Sequence, residues 1–286
     1  MKISTMFRKG RPVFSLEVFP PKKTGSIDSI YTTLDGLKNL KPDYISVTYG
    51  AGGNTADTKT RDIAVMIKEK YGIESMAHLT CVSCSKEDVE TILDDYKSYG
   101  IENIFALRGD INPDVPPKED FRYASELVSF IKNHGDFDIG GACYPEVHTE
   151  ARSLDEDVAN LKKKVDAGAE FLVSQLFFDN EFFYKFRERA RKEGISVPIS
   201  AGIMCVTNKK QIERMVTMCG ASIPHDLAKL MSKYADDAVS LTKAGIEYAS
   251  EQIRGLLANG AEGIHFYTMN NPAVALQIYS NIKDLL

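Results

Sequence analysis

Two carboxylates in unlike surroundings are the first chemistry this sequence offers. Glu17 stands between Leu16 and Val18, with Phe19 next, at the end of an apolar run; an apolar pocket raises a carboxyl pKa and suits a general acid. Asp110 follows Arg108 across Gly109, and a neighbouring guanidinium keeps a carboxylate ionised. Around them, at the ends of other apolar runs, stand Thr48, His78 and Thr80, Tyr144 with Glu146 and His148, Gln175, and Tyr267 with Thr268. Acid-assisted chemistry on a bound cofactor fits this set. Two structural readings stand beside it: Glu17 as a charged plug paired inside a core, and Asp110 with Arg108 as a plain ion pair. Pro20-Pro21, immediately beyond Glu17, weighs against the plug, because a rigid turn beside a run-end acid has little use there.

Motifs that are missing narrow the chemistry. The chain has no clustered His and carboxylate ligands of a metallohydrolase, no strand lysine placed for a Schiff base, no Gly-x-Ser-x-Gly elbow and no Gly-x-Gly-x-x-Gly turn. Cys81-Val82-Ser83-Cys84, with His78 upstream, offers three soft ligands, but no second Cys or His pair follows at motif spacing. A closed tetrahedral site needs four. The segment therefore reads as small buried hydrophobes, and no metal is expected. With Cys143, Cys205 and Cys219 the cysteines number five, an odd count that argues against a disulfide framework.

The elements that must position these residues follow from periodicity. Apolar runs at 13–18, 44–47, 76–79, 104–107, 139–143, 171–174, 197–201 and 263–266 each end in a polar residue or a glycine-rich turn, and a helical pattern follows nearly every one. Strand and helix alternating at this rhythm demand parallel strands. Eight such units predict an α/β fold, the (β/α)8 TIM barrel, whose chemistry is confined to the carboxyl ends of the strands and the loops after them. Helices are expected over 26–40, 57–71, 85–99 and about 154–167, with a capping box at Ser85-Lys86-Glu87-Asp88 and left-handed caps at Gly72 and Gly100. Two stretches break the rhythm: the proline-rich loop 110–122, and 218–244, read as extra helix between strands seven and eight that begins at Ile223-Pro224 and carries Asp236-Asp237 toward its far end. Neither looks like a domain boundary, so residues 1–286 are expected to form a single catalytic domain.

With 286 residues, 43% of them hydrophobic, the chain can bury one large core. A formal charge of −5 argues against a nucleic-acid surface. No run approaches the roughly 18 apolar residues of a membrane span, and residues 1–11 lack the apolar stretch of a signal peptide. A cytoplasmic enzyme with neither nucleic-acid nor membrane partner is expected.

In order and spacing, several segments together resemble the methylenetetrahydrofolate reductases of the bacterial single-domain type, from about Phe14 to Leu286. They are Glu17-Val18-Phe19-Pro20-Pro21-Lys22, Ser46-Val47-Thr48-Tyr49-Gly50-Ala51, His78-Leu79-Thr80-Cys81, Ala106-Leu107-Arg108-Gly109-Asp110, Tyr144-Pro145-Glu146-Val147-His148, the stretch 161–169, and His265-Phe266-Tyr267-Thr268. The resemblance implies a flavoprotein barrel that reduces 5,10-methylenetetrahydrofolate to 5-methyltetrahydrofolate by a ping-pong mechanism, with FAD ahead of FMN as cofactor and NADH or NADPH as donor. It implies Glu17 as the acid that opens the folate ring to an iminium ion, and Asp110 as the carboxylate that stabilises that cation. Gln175, Gln211 and Tyr267 join them as substrate contacts. For the flavin it implies Thr48, Tyr49, Ala51, His78, Arg108, Gly109, Asp110, Tyr123, Ala124, Tyr144, His148, Ala151, Asp157, Asn160, Lys163 and Lys164. Asp157, Asn160 and Lys164 are spaced to share one face of a helix, and Lys164 with Arg108 carries the charge a diphosphate needs.

Two positions depart from the family pattern: Asn271, where an arginine is usual, and Met215, where phenylalanine is common. A homo-oligomer is the family expectation. Three alternatives stand beside this reading: a flavin-carrying subunit that receives electrons from a partner protein, a different flavin barrel of the proline dehydrogenase type, and a non-flavin barrel such as an aldolase.

Overall fold

In a closed barrel of parallel strands, side chains alternate between the lumen and the surrounding helices, so both faces are buried. The computed structural model, which describes residues 1–8, 10–21, 28–49, 58–111 and 116–286, has that architecture. β1 (Val13–Val18), β2 (Tyr44–Val47), β3 (Glu74–Thr80), β4 (Asn103–Leu107), β5 (Asp138–Cys143), β6 (Phe171–Ser174), β7 (Ile199–Met204) and β8 (Gly263–Tyr267) pair in chain order, and β8 closes in parallel on β1. Outside them lie α1 (Asp28–Leu37), α2 (Lys59–Tyr71), α3 (Lys86–Ser98), α4 (Ala124–His134), α5 (Leu154–Asp166), α6 (Asn180–Lys192), α7 (Lys209–Cys219), α8 (His225–Lys233), α9 (Ala238–Ala258) and α10 (Pro272–Ile282). The predicted (β/α)8 barrel is the observed one.

Period-two alternation gives two cores. Outward residues such as Leu16, Val18, Ile45, Leu79 and Ile104 pack against helix residues including Ile30, Leu34, Ile63 and Val89. Lumen residues Val13, Tyr44, Met76, Phe105, Phe171 and Val173 form a second cluster, closed from below by Ile3 and Met6 of a short 3-10 helix. Ser85 and Asp88 form the expected capping box, and Gly72 and Gly100 take φ of 64° and 69°.

Two expectations need correction. β7 spans Ile199–Met204 where the sequence suggested 197–201: Pro198 has no N–H for the ladder and is confined to the threshold, while the apolar run continues through Ile203 and Met204. Gly202 is thus inside the strand and not at the rim. A Cβ there would lie 2.2 Å from the Ser174 carbonyl and 2.7 Å from the Tyr267 hydroxyl, so glycine keeps open the path by which Tyr267 donates to that carbonyl at 2.7 Å. The second correction concerns 218–244. Met218 belongs to the last turn of α7, and Asp237 stands at the start of α9, where its side chain accepts from the Ser240 N–H. Aspartate favours that cap because its oxygen satisfies a free backbone donor.

At the amino-terminal end of the barrel, fully buried Asp138 accepts hydrogen bonds from the Ser4 backbone and hydroxyl, each at 2.7 Å. Burial and a hydrogen bond shared with Glu170 push its carboxyl up to about 6. A carboxyl raised on folding contributes stability while protonated and loses it as pH rises through the folded value. Unfolded, the same carboxyl titrates near about 3.9, so Asp138→Asn, whose amide can donate permanently to Glu170, should match the parent below about pH 4, exceed its melting temperature by a margin that grows between about pH 4 and 6, and keep that margin above. Thermal melts across about pH 3.5 to 8 check this. A variant less stable at pH 7.5 would show that Asp138 is needed as an anion.

Candidate active site

Glu17 points into the lumen near the carboxyl ends of the strands. The alternation that places it there turns Leu16 and Val18 outward, where both are buried against the helices, so its sequence neighbours are not its surroundings. Its Oε2 instead lies 3.5 Å from Nε2 of His78 on β3 and 3.5 Å from Nε2 of His265 on β8, and it accepts from the Ser46 hydroxyl at 3.5 Å. Burial pushes the Glu17 carboxyl up, but the hydrogen bond to His265 and the imidazoles of His78 and His265 outweigh it, leaving the group below its ordinary value. This reverses the expectation of an apolar, raised acid. Burial pulls His78 down to about 4, and its Nε2 has no hydrogen-bond partner among the described residues.

The backbone that carries Glu17 is held from β8. Thr268 Oγ1 donates to the Glu17 carbonyl at 2.6 Å, while Asn270 brackets Phe19, accepting from its N–H at 3.1 Å and donating to its carbonyl at 2.9 Å. Met269 and Asn270 take φ of 51° and 54°, the left-handed turn that sends the amide back across β1, and asparagine tolerates it better than most residues. Asn270 carries no chemistry of its own, and sequence reasoning missed it. Asn271, the departure from the family pattern, caps α10 by accepting from the Val274 N–H.

At the same rim, a cavity of about 450 Å³ opens between the ends of β4 and β5 and the first turns of α4 and α5. Arg108, Tyr123, Ala124, Tyr144, His148, Ala151, Asp157, Asn160, Lys163 and Lys164 line it, together with Glu150 and Glu156, which sequence reasoning did not single out. Asp157 is buried and accepts from the His148 N–H at 3.0 Å; burial pushes its carboxyl up. Lys164 Nζ donates to the Ala142 carbonyl at 2.6 Å, and desolvation pulls its ammonium down. Tyr144 and His148 meet edge to face at 4.6 Å across a loop in which Val147 takes φ of 77°. A β-branched residue there is strained, and such strain accumulates at functional loops.

The Arg108–Asp110 pairing is not the one observed. Both Arg108 amino groups donate to Glu150, at 2.6 and 2.7 Å, and Asp110 is exposed. Gly109, with φ of 86°, turns the chain between the two residues. Elsewhere on the rim, Thr48 and Tyr49 are half-buried at the end of β2, and Ala51 lies outside the described residues. Gln175 is half-buried with its Oε1 taken by the Leu176 N–H at 2.8 Å, and Gln211 stands in the first turn of α7. Tyr267 presents its ring to the lumen, since its hydroxyl is spent on Ser174. Cys81 and Cys84 are buried free thiols. Among the described residues, no three His, Cys, Asp or Glu side chains are grouped to hold a metal ion, and no helix is long and apolar enough to cross a membrane.

The sequence matches the methylenetetrahydrofolate reductase family over residues 2–283. The chain belongs to that family. It is 40% identical over 270 residues to the 5,10-methylenetetrahydrofolate reductase of Pectobacterium carotovorum, covering 94% of this chain and 90% of the relative. It is 36% identical over 296 residues to methylenetetrahydrofolate reductase (NADH) 1 of Arabidopsis thaliana, covering 98% of this chain but half of the plant protein. A solved protein from Clostridium thermocellum, described as binding two copies of 5-methyl-5,6,7,8-tetrahydrofolic acid, superposes with a TM-score of 0.66 at 15% identity over 99% of this chain and 98% of that one. At that identity the likeness concerns the fold alone. Membership in the methylenetetrahydrofolate reductase family makes this chain an oxidoreductase, and the reduction of methylenetetrahydrofolate is the reaction that family membership supports.

Proposed function

We propose that residues 1–286 act as a single flavin-dependent domain that reduces 5,10-methylenetetrahydrofolate to 5-methyltetrahydrofolate with a reduced nicotinamide as donor, by a ping-pong mechanism. The observation that carries the cofactor assignment is Lys164: a desolvated ammonium, bonded to one carbonyl, faces a cavity that Arg108 also lines. Two cations converging there suit an anionic group such as a diphosphate, and the orphaned His78 Nε2 suits a ring with hydrogen-bonding atoms. The donor set therefore fits FAD better than FMN, which has one phosphate. Bound there, a flavin supplies the hydride.

The remaining work belongs to the chain. Glu17 delivers a proton to the folate ring nitrogen; Thr268 and Asn270 hold its backbone in place. Asp110, exposed on the loop after β4, offers negative charge to the resulting cation. Tyr267 supplies an aromatic wall beside Glu17, its register partner across β1 and β8, and Gln175 and Gln211 contact the pterin and the rest of the substrate. In binding a diphosphate, Arg108 would exchange its bond to Glu150 for one to phosphate.

An anaerobic titration of the purified protein tests this. NADH or NADPH alone should bleach the flavin band, and methylenetetrahydrofolate should restore it. Bleaching that requires a second protein would replace this reading with that of a flavin subunit fed by a partner. Bleaching with no reoxidation by folate would point to another acceptor.

A further inference from the structure

Building on Glu17 as the acid in the proposed reaction, we propose that His265 is its positioning residue and that the two side chains hold a single transferable proton between Glu17 Oε2 and His265 Nε2. The argument starts from Ser15, one layer deeper in the lumen. Its hydroxyl lies 2.8 Å from His265 Nδ1 and donates its own hydrogen to the Ile264 carbonyl at 3.3 Å. In the proposed arrangement that hydrogen stays on the carbonyl, Ser15 meets the imidazole as an acceptor, and Nδ1 carries a hydrogen. Nε2 then faces Glu17 Oε2 at 3.5 Å and Ser46 Oγ at 3.4 Å. A bare ring lone pair against a bare carboxylate is repulsive, so their approach calls for one proton, on the oxygen or on the nitrogen. His265 is 1% exposed, stacks on Tyr44 at 6.0 Å and meets the Tyr267 ring edge-on at 5.4 Å, so it cannot turn away.

Other groups facing Glu17 do not take this part. Burial keeps the Tyr44 and Tyr267 hydroxyls protonated and His78 neutral, and Ser46 is uncharged. In the reaction, a bond forms from the proton to the substrate's ring nitrogen as the Glu17 O–H bond breaks; a proton that starts on Nε2 crosses to Oε2 first. A carboxylate beside a neutral imidazole remains, and no electrons move. The arrangement lets Glu17 act as an acid although its own carboxyl is not raised.

The test uses the full chain with no ligand added, labelled with 15N in histidine and 13C in the glutamate carboxyls, and titrated by NMR. His265 Nε2 and the Glu17 carboxyl should change at one shared midpoint, the signature of a coupled pair, with Nδ1 protonated throughout. In Glu17→Gln the His265 midpoint should fall by about one unit or more, as expected on losing an anionic neighbour. Separate midpoints, an unprotonated Nδ1, or a His265 midpoint indifferent to Glu17→Gln would overturn the proposal, and none of these readings needs a substitution at His265 or a bound cofactor.

A kinetic arm follows the folate half-reaction of His265→Gln. It should slow at least about tenfold, within the worth of general acid catalysis, and lose the pH dependence centred on the shared midpoint, while nicotinamide-driven reduction of the flavin is unchanged. An unchanged pH profile would also overturn the proposal. A wild-type chain that shows the shared proton yet reduces no folate would overturn the proposed function, and with it the catalytic use of the pair.

Discussion

Glu17→Gln should leave flavin content and nicotinamide-driven flavin reduction within about twofold of the parent while slowing the folate half-reaction at least about a hundredfold, the usual worth of a general acid. Three features make the substitution selective. The side chain is only 17% exposed and its volume is retained, the backbone is held independently by Thr268 and Asn270, and an amide can still meet Ser46 and His265. What it cannot do is release a proton to the substrate. Rapid-mixing measurements of the two half-reactions separately give the result. Equal slowing of both would return Glu17 to the status of a polar plug, the reading that its burial among histidines also allows.

The surroundings of Glu17 show where sequence reasoning succeeds and where it stops. The barrel was legible because its signal is distributed: each strand is a short apolar run and each helix carries its own period, so an error of two residues at β7 or a misread cap at Asp237 leaves the topology intact. The cavity residues of α5 were legible as far as their helical spacing, and Asp157, Asn160 and Lys164 do line one cavity. The electrostatics of Glu17 were not, because adjacent residues on a strand face opposite sides. Leu16 and Val18 describe the helix layer, whereas the carboxyl meets Ser46, His78 and His265 from β2, β3 and β8.

The same limit explains Arg108. Its sequence neighbour Asp110 suggested a pair, but a left-handed glycine separates the two, and the partner Glu150 comes from the loop after the next strand. A signal did exist: Glu150 follows His148 by two residues in a rim loop already marked as functional. Asn270 offered less, because a residue that only clamps backbone has no chemical signature in sequence.

Lys164→Met should weaken flavin binding by roughly ten- to a hundredfold, the range of a lost charge-assisted hydrogen bond, and at the same time raise or preserve the melting temperature of the flavin-free protein. Both effects come from one side chain. The lysine stem passes so close over β5 that a Cβ on Gly141 would lie 2.8 Å from its Cδ, so glycine at 141 makes room for the stem and methionine can follow the same path. Beyond the stem, the ammonium has left water for a hydrogen bond to the Ala142 carbonyl. Desolvating a charge with so few partners costs stability, and a bound anion would repay it. Removing the charge therefore takes away a penalty in the free protein and an attraction in the complex. Titration of flavin fluorescence against variant and parent, with melts of both in flavin-free form, measures the two arms. Unchanged affinity would move the diphosphate away from Lys164, and a large drop in the melting temperature of the free variant would show that the bond to Ala142 already stabilises the ammonium enough without any anion.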